Sequence, residues 1–179
     1  EGGELGTLTG AEAAGPTAAL EGEAVFSGWY VNELLLRLLQ RRDPHAALFD
    51  AYAQALQILG GSSAQHALRI FEKHLLTELG YGLQLPAQPE ADAWYEYDAD
   101  SGARSVRTQT ADAYRGSSLL DLARESFQSD ESLRDAKRLL RAALLPHLGE
   151  RELVTPRLLR ALRATAGGRG QGTGIREQQ

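Results

Sequence analysis

From Phe26 onward, leucines and other apolar side chains return every three or four residues, and that period lapses for a long stretch only once, between 82 and 115. Apolar residues at this spacing line one side of an α-helix, so the chain must bury a series of helical stripes against one another. Trp29, Leu34, Leu35, Leu38 and Leu39 predict a helix over 25–42, with Arg37, Arg41 and Arg42 near its end, where cations favour the helix dipole. Asp43-Pro44 has the form of a cap followed by a first-turn proline. It opens a second helix through Phe49, Tyr52, Leu56 and Leu59, which Gly60-Gly61 stops. A third helix begins near Ser62-Ser63, places Leu68, Phe71, Leu75, Leu76 and Leu79 on one face, and ends with Gly80 where a left-handed cap belongs. Ser117-Ser118 predicts the start of a short helix through Leu119, Leu122 and Phe127. Asp130 caps a longer one through Leu133, Ala136, Leu140 and Leu144, closed by Pro146 to Gly149, and Thr155-Pro156 opens the last, with Leu158, Leu159 and Leu162.

The interruption at 82–115 is rich in prolines, glycines and acids, and its alternating stretch Trp94-Tyr95-Glu96-Tyr97 predicts a small hairpin turning at Asp98 to Gly102. Residues 4–9 alternate too and predict one strand, which cannot stabilise itself alone. The expected fold is therefore mainly α: a helical bundle over 16–166 with a β-hairpin insertion, a connecting segment at 1–15 and a disordered tail at 167–179.

Several function classes drop out. The chain has no cysteine, which excludes a disulfide framework and thiolate chemistry. His45, His66, His74 and His147 form no close ligand cluster. Asp92, Glu96, Asp98 and Asp100 lack the spacing of a calcium loop and read as a solvated turn. No nucleophile elbow, phosphate loop or dinucleotide fingerprint is present, so neither an enzyme nor a cofactor is expected. No apolar run approaches the ~20 residues of a membrane span, which makes a cytoplasmic location the expectation. The net charge of −5 hides an asymmetry: residues 134–179 carry ten Arg and Lys against four Asp and Glu, whereas 1–133 carry nine against twenty. Arg134, Lys137, Arg138 and Arg141 form one basic stripe, and Arg157, Arg160 and Arg163 repeat it on the next helix. If those helices pack as a hairpin, the two stripes merge into a patch that can hold DNA phosphates; otherwise they are a solvated face.

Three blocks carry a resemblance to a known family. They are Phe26-Ser27-Gly28-Trp29-Tyr30-Val31-Asn32-Glu33-Leu34-Leu35, then Ala67-Leu68-Arg69-Ile70-Phe71-Glu72 running to Leu79-Gly80-Tyr81-Gly82-Leu83, and Ala136-Lys137-Arg138-Leu139-Leu140-Arg141 running to His147-Leu148-Gly149. In order and spacing they resemble the RecO family of bacterial recombinational repair, over roughly residues 4 to 163. The resemblance implies a helical domain preceded by an OB-fold barrel, with 1–15 as the end of that barrel and about sixty further residues ahead of Glu1. It also implies a non-enzymatic mediator that binds the acidic, phenylalanine-ending tail of single-stranded DNA-binding protein (SSB), anneals single- and double-stranded DNA and, with RecR, loads RecA in the nucleoid. No membrane partner is implied.

The docking reading places the tail beside the third helix, with Arg69 and Lys73 facing its acids and Phe71, Leu75 and Leu76 forming the apolar surface. The alternative is that these apolar residues are ordinary core and the chain is a helical interaction scaffold with no nucleic-acid role. Two departures from the family stand out. Many relatives hold zinc through four cysteines in the segment equivalent to 84–110, so this insertion is a cysteine-free counterpart, and Val154-Thr155-Pro156 replaces a Lys-Ser-Arg element, with Arg157 one position later. Elemental analysis of the purified chain should find no stoichiometric zinc; one zinc per chain would overturn that expectation.

Overall fold

A computed structural model describes residues 7–12, 19–150 and 152–168. Along the chain run α1 (Glu23–Leu38), α2 (Ala46–Ile58), α3 (Ala64–Glu78), β1 (Trp94–Asp98), β2 (Gly102–Val106), β3 (Tyr114–Arg115), α4 (Gly116–Arg124), α5 (Asp130–Leu144), a 3-10 turn at Leu145–His147 and α6 (Val154–Gly168). The helical domain with a small β insertion is the fold class that the leucine period predicted.

Helix α3 organises the bundle because seven of its fifteen residues are buried. Phe71, Leu75 and Leu76 are at most 1% exposed, and the polar Arg69 and Glu72 are buried with them. Around it pack α1, α2 and α5, which contribute Val31 and Leu34, Leu48 and Leu59, and Leu139, Leu140 and Leu144 to one continuous core. Its C-terminus is closed as predicted: Gly80 is left-handed (φ 82), its N–H donates to the Thr77 carbonyl at 3.0 Å, and the Tyr81 N–H donates to the Leu76 carbonyl at 2.8 Å. That pair of bonds satisfies carbonyls a helix end otherwise leaves open.

A second closure of this kind ends α4 without a glycine. Glu125 is left-handed (φ 58), and the Ser126 N–H donates to the Asp121 carbonyl at 3.0 Å. Such a backbone costs a non-glycine residue ~1 kcal/mol. The Glu125 side chain offsets it by accepting from Lys73 Nζ at 2.7 Å and bonding His74 Nε2 at 3.0 Å, which locks α4 to α3. Burial pushes the Glu125 carboxyl up, but these hydrogen bonds outweigh it and hold the group below the usual carboxylate range.

The insertion is a three-stranded antiparallel sheet in the order β2-β1-β3, with Asp98 opposite Gly102 at the hairpin end and Tyr95 opposite Tyr114 on the other edge. The turn at Asp98 to Gly102 is as predicted: Asp98 Oδ1 accepts the N–H groups of Ser101 at 2.9 Å and Asp100 at 3.1 Å, and Gly102 takes φ 78. Backbone bonds tie the sheet to the domain, from Ala103 N–H to the Gln84 carbonyl and from Gly116 N–H to the Ala93 carbonyl, both 2.9 Å.

Helix boundaries differ from expectation where caps were read from single residues. Helix α1 stops at Leu38, and Arg41 and Arg42 lie in a turn with Arg42 left-handed (φ 69), so Arg37 is the last-turn cation. Pro44 precedes the cap of α2, which is His45 with no side-chain capping bond; Asp43 does not cap it. Helix α4 starts at Gly116, before the serines, and Phe127 lies beyond its end, although it is still buried. Ser129 rather than Asp130 caps α5, in a reciprocal box with Ser132. Residues 7–9 are irregular and exposed, and the rest of the strand expected at 4–9 lies outside the described residues. Helix α6 continues through Gly168, into the segment expected to be disordered, and 169–179 lie outside the described residues.

The cap of α6 comes from across the fold. Glu33 on α1 accepts the N–H of Val154 at 2.7 Å and that of Thr155 at 2.9 Å, so two open donors of the first turn end on one carboxylate. Burial pushes Glu33 up, yet the amides of Thr155 and Val154 outweigh it and hold its pKa below the ordinary value. A carboxyl depressed in the folded state stabilises above its unfolded pKa and loses that contribution as pH falls through the depressed value. Acidification below about pH 4.5 should therefore free α6 amides before those of α3, as read by hydrogen exchange. Gly116 should be the least replaceable glycine in an ordinary helical conformation: a Cβ there would sit 1.8 Å from the Glu90 carbonyl oxygen. Gly116→Ala should cost ~3 kcal/mol or more in urea unfolding, against ~1 kcal/mol for Gly80→Ala, where only the positive φ is lost.

Candidate functional site: a basic-rimmed cavity beside α3

Between α1, α3 and α5 on one side and the segment Leu148–Arg160 on the other lies a cavity of about 370 Å³. Its floor is a buried polar network. Tyr30 Oη donates to Glu72 Oε1 at 2.6 Å, and Arg69 Nη2 forms an ion pair with the same oxygen at 2.9 Å, with the Arg69 and Glu72 side chains 5% and 1% exposed. Arg69 and Glu72 are neighbours because residues three apart share a helix face, and Tyr30 reaches them because α1 crosses α3 there. Burial raises the Glu72 carboxyl despite the opposing pull of Arg69 and the Tyr30 hydroxyl, and burial followed by the Glu72 charge pushes Tyr30 well above the ordinary phenol value. Arg69 Nε and Glu72 Oε2 have no hydrogen-bond partner among the described residues.

The rim is supplied by α5. Lys137 and Arg141, one turn apart, line the cavity and pair with no carboxylate among the described residues. Burial lowers the Lys137 pKa, the nearby Arg69 charge lowers it further, and Glu72 pulls the other way. With Glu72 paired to Arg69 and Glu152 to Arg160, Lys137 and Arg141 are the lining cations that form no ion pair among the described residues, and Glu150 lines the cavity with them. Phe26, Leu68 and Leu144 from the bundle and Leu148, Leu153 and Leu159 from the opposite wall give the interior its apolar character. An apolar hollow with fixed cations at its edge suits a ligand that ends in a carboxylate beside a large apolar group.

The fold sorts the residues expected to bind. Arg69 lines the cavity. Phe71, Leu75 and Leu76 do not: at 1%, 0% and 0% exposed they are core, and no ligand can reach them without unfolding α3. Lys73 is also displaced from the site, because its Nζ donates to Glu125 and to the Ala123 carbonyl at 2.9 Å. The basic stripes do not merge as a helix hairpin, since α6 packs on α1 rather than on α5. Lys137, Arg141 and Arg160 face the cavity. Arg138 is a structural staple: it donates to the carbonyls of Ala111 and Ala113, pairs with Asp135 at 3.1 Å and lies 4.7 Å over the Tyr114 ring, fastening the insertion to α5. Arg160 pairs with Glu152 at 2.6 Å and Arg163 with Glu23, whereas Arg134 and Arg157 are exposed. Reading by spacing missed Tyr30, Glu72 and, apart from Arg160, the wall formed by residues 148–150 and 152–160. Glu72 was legible three residues after Arg69; the wall depends on a turn, and no periodicity announces it. Among the described residues no group of three or more His, Cys, Asp or Glu is placed to hold a metal ion, and no helix is long and apolar enough to cross a membrane.

Comparison with known proteins agrees with the fold and its landmarks. Residues 20–155 match the family described as Recombination protein O C terminal. The chain is similar to the DNA repair protein RecO of Nitrosococcus oceani, 45% identical over 170 residues that cover 90% of this chain and 69% of that protein. It is 43% identical to the protein of the same name in Pseudomonas putida, covering 88% of this chain and 72% of the relative. For Coxiella burnetii the identity is 41%, over 87% and 71%. With identity at this level running through nearly all of the helical domain, the chain belongs to the RecO family of DNA repair and recombination proteins.

Proposed function

We propose that the chain is a non-enzymatic mediator of DNA repair and recombination, acting at bacterial DNA in the cytoplasm, and that its cavity beside α3 receives the acidic, phenylalanine-ending tail of SSB. With RecR it then helps DNA to anneal and RecA to load. The observation that supports this most is the meeting of an apolar hollow with two cations, Lys137 and Arg141, that form no ion pair with any carboxylate of the described residues. A phenylalanine side chain fills the hollow, and its terminal carboxylate and the acids before it meet the rim. Arg69 stays in the site, but its charge is committed to Glu72, so it orients the ligand while Lys137 and Arg141 supply the net attraction. Lys73 and the core residues Phe71, Leu75 and Leu76 have no part in this placement.

Two exposed arginines, Arg134 and Arg157, remain as phosphate contacts; Lys137 and Arg141 reinforce them, as do Arg160 and Arg163 wherever their present partners are displaced. The alternative, a helical scaffold with no nucleic-acid role, draws support from the capture of Arg138, Arg160 and Arg163 in internal pairs.

Calorimetry with an SSB tail peptide separates the readings. Lys137→Ala and Arg141→Ala should each weaken binding roughly tenfold without lowering the melting temperature, since a charge-assisted contact at a partly desolvated rim is worth ~1.5–3 kcal/mol. Deleting the peptide's last phenylalanine should abolish binding. Arg69→Ala is the weaker probe, because it leaves Glu72 buried and unpaired at a cost of ~3–5 kcal/mol to the fold. Single-stranded DNA should bind weakly, with a salt slope that falls by about 0.7 in Arg134→Ala and again in Arg157→Ala. A chain that binds neither peptide nor DNA is the scaffold.

A further inference from the structure

Only half of the cavity is built from the bundle core; the other half comes from residues 148–150 and 152–160. The segment leaves the 3-10 turn at Gly149, which is left-handed (φ 70) with nothing within 4 Å of where a Cβ would stand. Helix α6 rests on α1, where Arg163 pairs with Glu23, while Val154, Leu158 and Leu162 stay 51%, 41% and 45% exposed. What fixes its start is Glu33, through the bonds to Val154 and Thr155. Arg37 braces both parties, donating to Glu33 Oε1 at 2.9 Å and to the Glu152 carbonyl at 2.9 Å. Thr155, which has the form of a local cap, is instead inside the helix with its N–H given to Glu33. Glu33 itself does not line the cavity.

We propose that Glu33 is a positioning residue for the cavity's ligand: by capping α6 from outside, it sets the far wall formed by Leu153, Pro156 and Leu159 against which the ligand's apolar group packs. Wall and ligand are then thermodynamically linked. A ligand that touches both halves holds α6 down, and by reciprocity whatever releases α6 weakens the ligand by the same factor. This rests on the reading that the SSB tail occupies the cavity.

The test uses the full chain, the tail peptide, and hydrogen exchange at the α6 amides beside calorimetry. In the parent, saturating peptide should slow exchange across 157–162. Glu33→Gln keeps one acceptor but loses the charge on the helix dipole; free, it should exchange faster in α6 with α3 unchanged, and it should bind peptide about three- to tenfold more weakly. Glu33→Asp, shorter but still charged, should recover part of the loss. If Glu33→Gln proves too unstable to study, Arg37→Ala removes the brace and should shift exchange and affinity in the same directions. A Glu33→Gln chain whose α6 is freed but whose affinity equals the parent's overturns the positioning role while leaving the tail site standing, and so does one whose α6 exchanges no faster. A parent that binds no peptide overturns the tail site, and this role with it.

Discussion

The Arg69–Glu72 pair on α3 is the constraint around which the other helices are arranged. Charges on the buried face of α3 cannot reach solvent, so each must find a partner nearby: Arg69 takes Glu72 three residues on, and Glu72 takes the Tyr30 hydroxyl from α1. Taking two charges from water costs several kcal/mol per ion, so such a pair contributes little net stability but strongly penalises any packing that separates its members. It therefore specifies the crossing of α1 on α3. The raised Glu72 carboxyl is consistent with that expense, because a group whose folded pKa lies above its unfolded one opposes folding as pH rises. Glu33 and Glu125, both depressed, act in the opposite sense and stabilise the fold at neutral pH.

The insertion poses a different problem. A three-stranded sheet of five-, five- and two-residue strands has too little apolar surface to persist by itself. Here it is anchored at separated points: Gln84 holds β2, Ala93 holds the start of α4, and Arg138 reaches from α5 to two carbonyls of the loop before β3. Tyr95 and Tyr114 then place their rings in the common core. Side chains and backbone bonds thus fasten the insertion, and a cysteine-free sequence is consistent with such a scheme.

How much of this was legible from the sequence follows from the range of each interaction. The helices were readable because their apolar period is local, and Gly80 because a left-handed cap is a property of one residue. Caps were misplaced at α2, α4 and α5 because several polar residues near a helix start can each accept an N–H, and packing chooses among them. The site was only partly legible. Periodicity identifies the inward face of a helix but not how completely it is enclosed, so Phe71, Leu75 and Leu76 read as an accessible surface when α3 is central. Lys73 and Lys137 look alike in a sequence, yet the first faces Glu125 and the second faces the cavity. The Glu33 cap on α6 joins residues more than a hundred positions apart, and no local rule reaches that far.

The same distinction bears on what the basic residues can do. Charge along a helix face counts for a ligand only where the fold has not already spent the donors inside the protein. Arg138 has given its hydrogen bonds to the insertion, and Arg163 its own to Glu23, so their attraction for an incoming phosphate is offset by what must be broken. Lys137 and Arg141 carry no such cost, and although both are exposed they stand at the edge of an apolar hollow. Under the proposed reading the cavity rim, rather than the outer stripe, takes the negative group, and a flexible acidic segment ending in an aromatic residue would use the charge and the hollow together. On that proposed reading an extended polyanion of phosphates has no group to fill the hollow, and the mismatch would favour a peptide there even though both ligands are acidic.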